Sequence, residues 1–492
     1  MLIGVMLLLA SSAYAQDRVI VGSKMDGESY LLAEIISQLL EDGGFEVERK
    51  FGFGGTLICF NALKEGEIDI YPEYTGTISE AILAPEERPM KNSSIADYQE
   101  ILTPKELQLF APFGFNNTYA IAIKKEIAER RNIFSISDLK DQQDLILSFS
   151  HEFLNREDGW PMLKEAYGLS FSPTGIQHGL AYKAIDEGSI NITDAYSTDG
   201  DIARYGLVLL KDDLNFFPNY YGAAFTRLDF PDRAKEILAR LENSLTDEEM
   251  SALNGKVVID QQAFAIVAAE FLNQRGFVNP GARVEQASVL DKLINNTITH
   301  IKITLIALLL GCAVGLTAAF LIFRSAKISR IIIYISGLMQ TIPSIALLAL
   351  MIPLLGIGEI PAIVALFLYS LLPILRSAIT ALSTINPVLV NVSSAIGMTR
   401  LQQLKHVLVP LALPNILSGI KTAAVICIGT ATLAAFIGAG GLGEPIVTGL
   451  ALNDTSLILQ GAIPAACLAI IVELLFEILE KKIIPEHMRA RT

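Results

Sequence analysis

Residues 302–323 read KITLIALLLGCAVGLTAAFLIF, an apolar run with one charge near its start. Coiled into a helix rising about 1.5 Å per residue, it covers the roughly 30 Å of a bilayer's hydrocarbon core. Four more such stretches follow, at about 331–355, 360–375, 415–437 and 456–479, so the pattern predicts five membrane-spanning helices. Charge sets their orientation. With the amino-terminal side outside, five spans put Arg324, Lys327, Arg330, Arg376, Arg400, Lys405, Lys421, Lys481, Lys482, Arg489 and Arg491 inside. The two outer loops, near 356–359 and 438–455, hold Glu359, Glu444 and Asp454 but no Lys or Arg, as expected when cations stay on the cytoplasmic side. Small residues such as Gly429-Thr430-Ala431-Thr432 are expected to let neighbouring helices approach closely.

Working outward, the rest of the 492-residue chain is of a different kind. Residues 287–492 carry 13 Lys+Arg and 8 Asp+Glu, a net of +5, whereas the first 286 carry 25 and 44, a net of −19. A segment that acidic is a poor nucleic-acid binder, since neutralising phosphates requires clustered cations. At its start, residues 2–12 (LIGVMLLLASS) lead into Ala13-Tyr14-Ala15, which reads as a signal peptide over 1–15 despite the absence of a basic n-region. From Val19 to about Phe277, short β-branched runs (Val19–Val21, Leu145–Phe149, Leu207–Leu210) alternate with amphipathic stretches such as Tyr30–Leu40 and Asp232–Leu241. That alternation predicts helices covering mostly parallel sheet. The segment FGFNNTYAIAIK at 113–124 reads as an extended connection between two α/β lobes with a ligand cleft between them. GFVNPG at 276–281 ends the last soluble helix and starts a linker, giving an exported domain over 16–285 and a membrane domain over 286–492.

Little chemistry is visible. Cys312, Cys427 and Cys467 lie in apolar runs and Cys59 stands alone in the front half, so no disulfide framework or zinc spacing exists. His151, His178, His300, His406 and His487 are scattered, no catalytic residues are assigned, and no metal site is expected. There is no Gly-x-x-x-x-Gly-Lys-Ser/Thr, so ATP phosphates find no P-loop here. GAGGLG at 438–443 ends an apolar run rather than a strand, which argues against a dinucleotide loop and for an outer gate. Between the third and fourth spans, 383–414 is amphipathic, with Gly397 in its middle and Pro410 and Pro414 near its end; a loop of that length inside the cell calls for a partner.

At these residues a family likeness enters. NPVLVNVSSAIGMTRLQQLKHVLVPLALPNIL (386–417) and GTATLAAFIGAGGLGEPI (429–446) closely resemble the permease of ATP-binding-cassette importers for osmoprotectants, the glycine betaine/carnitine/choline family. The resemblance implies a coupling loop, 383–414, that docks on a cytoplasmic ATPase through Gly397, Met398, Thr399 and Pro410. It departs from the family's acidic and alanine pattern at Asn391, Val392 and Ser393. The front half resembles the binding protein of the same systems through VGSKMDGESYLLAEIISQLLE (21–41), DIYPEYTGT (69–77), GFNNTYAIAI (114–123), EFLNREDGWPMLKEAYGL (152–169), DAYSTDGDI (194–202) and DDLNFFPNYYGAAF (212–225). Together the two likenesses imply a two-lobed α/β periplasmic-binding-protein fold of type II, fused to an all-α permease of about five helices.

A quaternary ammonium ion has no hydrogen to donate, so a protein holds it by dispersion and by aromatic faces, at about 0.5–2 kcal/mol per ring. The chain has 14 Tyr against one Trp. The resemblance places cage rings at Tyr119, Tyr196 and either Tyr220 or Tyr221, offers Asn117, Thr75 and Thr77 to the ligand's other end, and sets Ser23 and Lys24 at a turn suited to a carboxylate. Glu28 either joins them or caps its helix. Tyr74 reads as a packed ring, Asp194 and Asp199 as caps or turns, and Arg156 as either a carboxylate ligand or an interlobe ion pair. The implied protein imports a quaternary ammonium solute, ergothioneine being an alternative within the same architecture. It acts as a permease homodimer in the inner membrane, its binding domain outside, with ATP and Mg on the partner ATPase and no cofactor of its own. A ligand-gated channel is the competing class, distinguished by currents without an ATPase.

Overall fold

The computed structural model describes residues 18–156, 158–279, 288–451 and 454–485; the expected signal segment and most of the linker lie outside them. The chain divides near residue 286 into two compact units.

Among its described residues the first unit contains ten strands: β1 (Arg18–Gly22), β2 (Glu46–Lys50), β3 (Ile70–Tyr74), β4 (Leu107–Phe110), β5 (Tyr119–Lys124), β6 (Ser148–Ser150), β7 (Thr174–Ile176), β8 (Ile192–Tyr196), β9 (Leu207–Leu210) and β10 (Gly222–Arg227). One sheet has the order β2-β1-β3-β10-β4, a second β8-β5-β9, and β6 pairs with β7. The expectation of mostly parallel sheet fails. β1 runs parallel to β2 and β3, but β10 is antiparallel to β3 and β4, and β5 is antiparallel to β8 and β9. The reason is connectivity: the chain leaves the first sheet after β4, builds the second lobe from β5 to β9, and returns as β10, so the returning strand enters the first sheet reversed. The two crossings, through residues 111–118 and 211–221, carry the backbone from one sheet to the other and back.

Sequence periodicity accounts for the helix that fronts the first lobe. In Gly27–Asp42 an apolar face (Leu31, Leu32, Ile35, Ile36, Leu39) is fully buried, and Asp26 caps the start by accepting from Ser29 N at 2.8 Å. Asp26 therefore takes the capping role open to Glu28.

In the second unit, the described residues contain four helices long and apolar enough to cross a bilayer: Val289–Ile322, Glu359–Ser383, Arg400–Ile437 and Thr455–Ile483. The second expected span, 331–355, is broken. It forms Ala326–Thr341 and Ser344–Leu355, bent by 96°; counting the pair as one span gives five. Pro343 disfavours helical geometry in the preceding residue, and Ile342 is accordingly extended (φ −63°, ψ 127°). The Ile342 carbonyl, freed by the break, accepts from the Tyr369 hydroxyl.

The expected run meets its neighbours in part: Ala431 is fully buried in the core between helices, whereas Gly429 has open space beside it. Among the described residues nothing lies within 4 Å of where a Cβ on Gly429 would sit. A tight seam is Gly311-x-x-x-Gly315 against Glu359–Ser383: a Cβ on Gly311 would collide with Ser370 Oγ, and one on Gly315 would lie 3.0 Å from Ile374. Lys302 Nζ lies 2.6 Å from Glu359 Oε2, tying the neighbouring ends of these two helices.

Candidate functional site

Register brings the two principal cage candidates together. Tyr119 and Tyr196 are paired residues on β5 and β8, and their ring centroids are 5.1 Å apart at 42°. Around the Tyr119 ring stand Phe153 at 5.1 Å, Tyr220 at 5.7 Å and 87°, and Phe217 at 6.3 Å. A cation already stands over it: the Arg156 guanidinium lies 5.6 Å from the Tyr119 centroid. That guanidinium is held by Asp158, from Nε at 2.7 Å and Nη2 at 2.5 Å, and by Glu152 at 3.2 Å; the Tyr220 hydroxyl also donates to Asp158. Among the described residues Arg156 is thus paired within its own segment, with Glu152 and Asp158, and not across the lobes.

Of the two adjacent tyrosines, it is Tyr220 that stands against the Tyr119 ring. Tyr220 is buried in the cluster, while Tyr221 is 37% exposed and outside it. Gly76 makes room for Tyr220, since a Cβ there would sit 2.5 Å from two of its ring atoms. The polar candidates are largely engaged with the protein. Ser23 Oγ donates to the Lys24 carbonyl and accepts from Gly52 N. Thr75 Oγ1 donates to Asn219 O and accepts from Tyr221 N. Thr77 is buried beside it. Lys24 Nζ donates to the fully buried Glu73 at 2.7 Å and lies 4.6 Å over the Tyr74 ring, so its charge is already balanced.

Sequence reasoning leaves Glu28 without a settled role, and the structure makes it a hub. Its Oε1 accepts from Tyr74 Oη at 2.6 Å and Asn117 Nδ2 at 2.8 Å; its Oε2 accepts from Thr198 Oγ1 at 2.5 Å and Asn254 Nδ2 at 2.7 Å. Burial pushes this carboxyl up to about 7, against the pull of those hydrogen bonds. Phe153, Phe217, Asp158 and Asn254 were also unforeseen; the first three lie in the quoted segments 152–169 and 212–225, but nothing local marks them as site residues.

Behind Tyr196, the His178 ring lies with its centroid 4.7 Å away, tilted by 40°, with Asp199 3.1 Å from Nε2 and Asp194 3.6 Å from Nδ1. Asp199 closes a turn as expected, accepting from Tyr196 N at 3.1 Å at the N-cap position of Gly200–Arg204, while Asp194 accepts from Ser150 N and Oγ; both carboxylates also face His178. Burial works against the imidazolium, but Asp194 and Asp199 outweigh it and push the ring up to about 10. Since the folded value exceeds the ordinary 6.5, this pair's stabilisation is complete below about 6.5 and disappears as pH rises through about 10. His178→Asn is expected to lower the thermal midpoint at pH 6 and to make little difference at pH 10.5; equal losses at both pH values would remove the charge from the account.

In the membrane unit, Pro387–Ala395 is capped by Ile396 and followed by Gly397, whose φ of +84° favours glycine, and Thr399 caps the following Arg400 helix with Gln402 in a capping box. Met398 and Pro410 line a groove of about 350 Å³ with Leu389, Val392, Ile396 and Leu411. Gly397, Met398, Thr399 and Pro410 thus gather at one helix–turn–helix. The glycines at 438, 440 and 441 all have positive φ and join a 3₁₀ turn to the short helix Gly443–Ala451, so this loop follows helix, not strand. Among the described residues no cluster of three or more His, Cys, Asp or Glu could hold a metal.

Comparison with known proteins separates the halves in the same way. Residues 17–274 match the substrate binding domain of ABC-type glycine betaine transport system, and residues 303–485 the binding-protein-dependent transport system inner membrane component. The choline transport system permease protein OpuBB of Bacillus subtilis (strain 168) is 44% identical over 40% of this chain and 91% of its own length. The glycine-betaine-binding protein of Pseudomonas aeruginosa (strain PAO1) is 32% identical over 56% of this chain and 93% of its own. The ergothioneine transport permease/ergothioneine binding protein EgtU of Helicobacter pylori (strain G27) is 35% identical over 55% of this chain and 50% of its own. A crystal structure of a glycine betaine/carnitine/choline ABC transporter aligns with a TM-score of 0.46 and 30% identity, covering 53% of this chain and all of that one. The chain belongs to both families, joining in one polypeptide the binding domain and the permease of an ABC importer of the glycine betaine type.

Proposed function

We propose that the first unit captures a quaternary ammonium solute on the outer side of the inner membrane and hands it to a pore formed by two copies of the second. The observation that carries this reading is the Tyr119 ring, enclosed by Tyr196, Tyr220, Phe153 and Phe217, with a guanidinium over its face. Rings so arranged suit a cation that cannot donate a hydrogen bond. Arg156 and Lys24 are the nearby cations for a ligand carboxylate, provided they exchange their present partners. Ergothioneine, itself a trimethylammonium compound, is the second candidate, favoured by the likeness to the Helicobacter relative.

Transport energy comes from a separate ABC ATPase, to which nucleotide and Mg belong; this chain is a transport subunit and not the enzyme. The apolar groove beside Met398 and Pro410 is the surface we assign to that contact. Titration of the full-length protein in nanodiscs with choline, glycine betaine, carnitine and ergothioneine tests the reading: at least one should bind, and a protein that ignores all four while binding a sugar or phosphate overturns it. Gly397→Val, which forces a β-branched residue into positive φ, is expected to cut ATP-driven uptake at least tenfold with ligand affinity unchanged. Undiminished uptake would remove the turn from coupling.

A further inference from the structure

The four donors on Glu28 come from separate parts of the first unit. Tyr74 ends β3, Asn117 lies in the first crossing between the lobes, Thr198 follows β8 and Asn254 lies in the helix Asp247–Val258. Each carboxylate oxygen receives one hydroxyl and one amide. A hydroxyl can turn to accept, but the two amides cannot turn over. Asn117 Oδ1 accepts from Thr198 N at 3.3 Å, and Asn254 Nδ2 also donates to Thr198 O at 2.9 Å, so flipping either would set donor against donor or acceptor against acceptor. The position thus demands an acceptor on both sides, which an ionised carboxylate supplies and a glutamine does not. Thr198 is held through its hydroxyl, its N–H and its carbonyl, all within this network, and it lies two residues past the Tyr196 ring.

We infer that Glu28 is a positioning residue whose carboxylate fixes the Tyr196–Thr198 wall of the cleft to the helix beside Lys24, so that the aromatic enclosure is assembled before a ligand arrives. The hydrogen bonds of Glu28 go to Tyr74, Asn117, Thr198 and Asn254 rather than to Tyr119, Tyr196 or Tyr220, so it acts through Thr198 and Tyr74. Preassembly of this kind raises affinity by removing an ordering cost from the binding step.

The network predicts a reciprocal rescue. In Glu28→Gln an NH₂ group must face one of the pinned amides. In Asn117→Asp a second carboxylate faces Glu28. In the double variant Glu28→Gln/Asn117→Asp, the introduced amide donates to the introduced carboxylate, whose other oxygen still accepts from Thr198 N, and the site again holds one negative charge. Hydrogen–deuterium exchange of residues 196–202 in the full-length protein, in nanodiscs at pH 8 without ligand, reads the clamp directly. Each single variant should raise exchange at least tenfold, and the double should return to within about threefold of the unsubstituted protein. Glycine betaine and choline affinities, an arm that rests on the ligand reading above, should fall at least tenfold in the singles and recover in the double. Unchanged exchange in Glu28→Gln, or a double variant no better than the singles, overturns the inference. A single variant that fails to fold while the double folds supports it, and failure of both counts against it. If the unsubstituted protein binds neither ligand, the quaternary ammonium reading falls and the exchange arm alone decides the role of Glu28.

Discussion

Tyr119→Ala is expected to weaken binding of a quaternary ammonium ligand at least tenfold, with Tyr119→Phe staying within about threefold. The aromatic face alone is worth about 0.5–2 kcal/mol, and 1.4 kcal/mol corresponds to a factor of ten. The alanine variant loses more than that face. Tyr119 is 3% exposed and packs against Phe153, Phe217, Tyr196 and Tyr220, so truncation opens a cavity where four rings meet. Large-to-small changes at such sites cost about 3–5 kcal/mol of stability, so the alanine variant is also expected to melt earlier. The phenylalanine variant keeps the ring and its packing, which separates the π face from the hydroxyl. Isothermal titration of the full-length protein, with thermal midpoints recorded alongside, reads both effects. Affinity unchanged in the alanine variant would take this ring out of the site.

The second large effect is expected in the membrane unit. Gly443→Ala should reduce uptake in proteoliposomes at least tenfold while leaving ligand affinity within about twofold. A Cβ at this position would collide with the carbonyl oxygen of Thr432, a backbone atom of the preceding turn that cannot rotate away as a side chain could. Relief requires moving either the 3₁₀ turn Thr432–Ile437 or the helix Gly443–Ala451, both joined through the left-handed glycines between them. Overpacking of this kind typically costs about 1–3 kcal/mol, and here it falls on the segment read as the outer gate. Full uptake by this variant would show that the segment tolerates displacement and would remove it from the gating account.

Local pattern carried part of the fold into view and long-range contact hid the rest. Leu207–Leu210 forms β9 as its β-branched and apolar run suggested, and Tyr30–Leu40 lies within the helix Gly27–Asp42 because its apolar residues recur on one face. Strand direction was not legible. Whether β10 runs with or against β3 depends on how often the chain has crossed between lobes, which no local window records. Hydropathy merged 331–355 into one span because an average over apolar residues does not register a change of direction; the dipeptide Ile342-Pro343 was the available signal. In the candidate site, Tyr119 and Tyr196 were readable through their flanking segments. The partner of Lys24 was not, since Glu73 is 49 residues away and meets it only once β1 and β3 lie side by side. Tyr220 and Tyr221 are chemically identical neighbours, and only the alternation of an extended chain turns one inward.

The interruption at Ile342 limits where that part of the chain can be. A hydrocarbon interior contains no water to replace a lost intrahelical bond, and an orphaned carbonyl there costs several kcal/mol. Tyr369 supplies a donor to that carbonyl from a different helix. Ser344–Leu355, at 12 residues, reaches about 18 Å and falls short of the far surface by itself. The Tyr369 hydroxyl therefore ties the break to a second helix of the same unit.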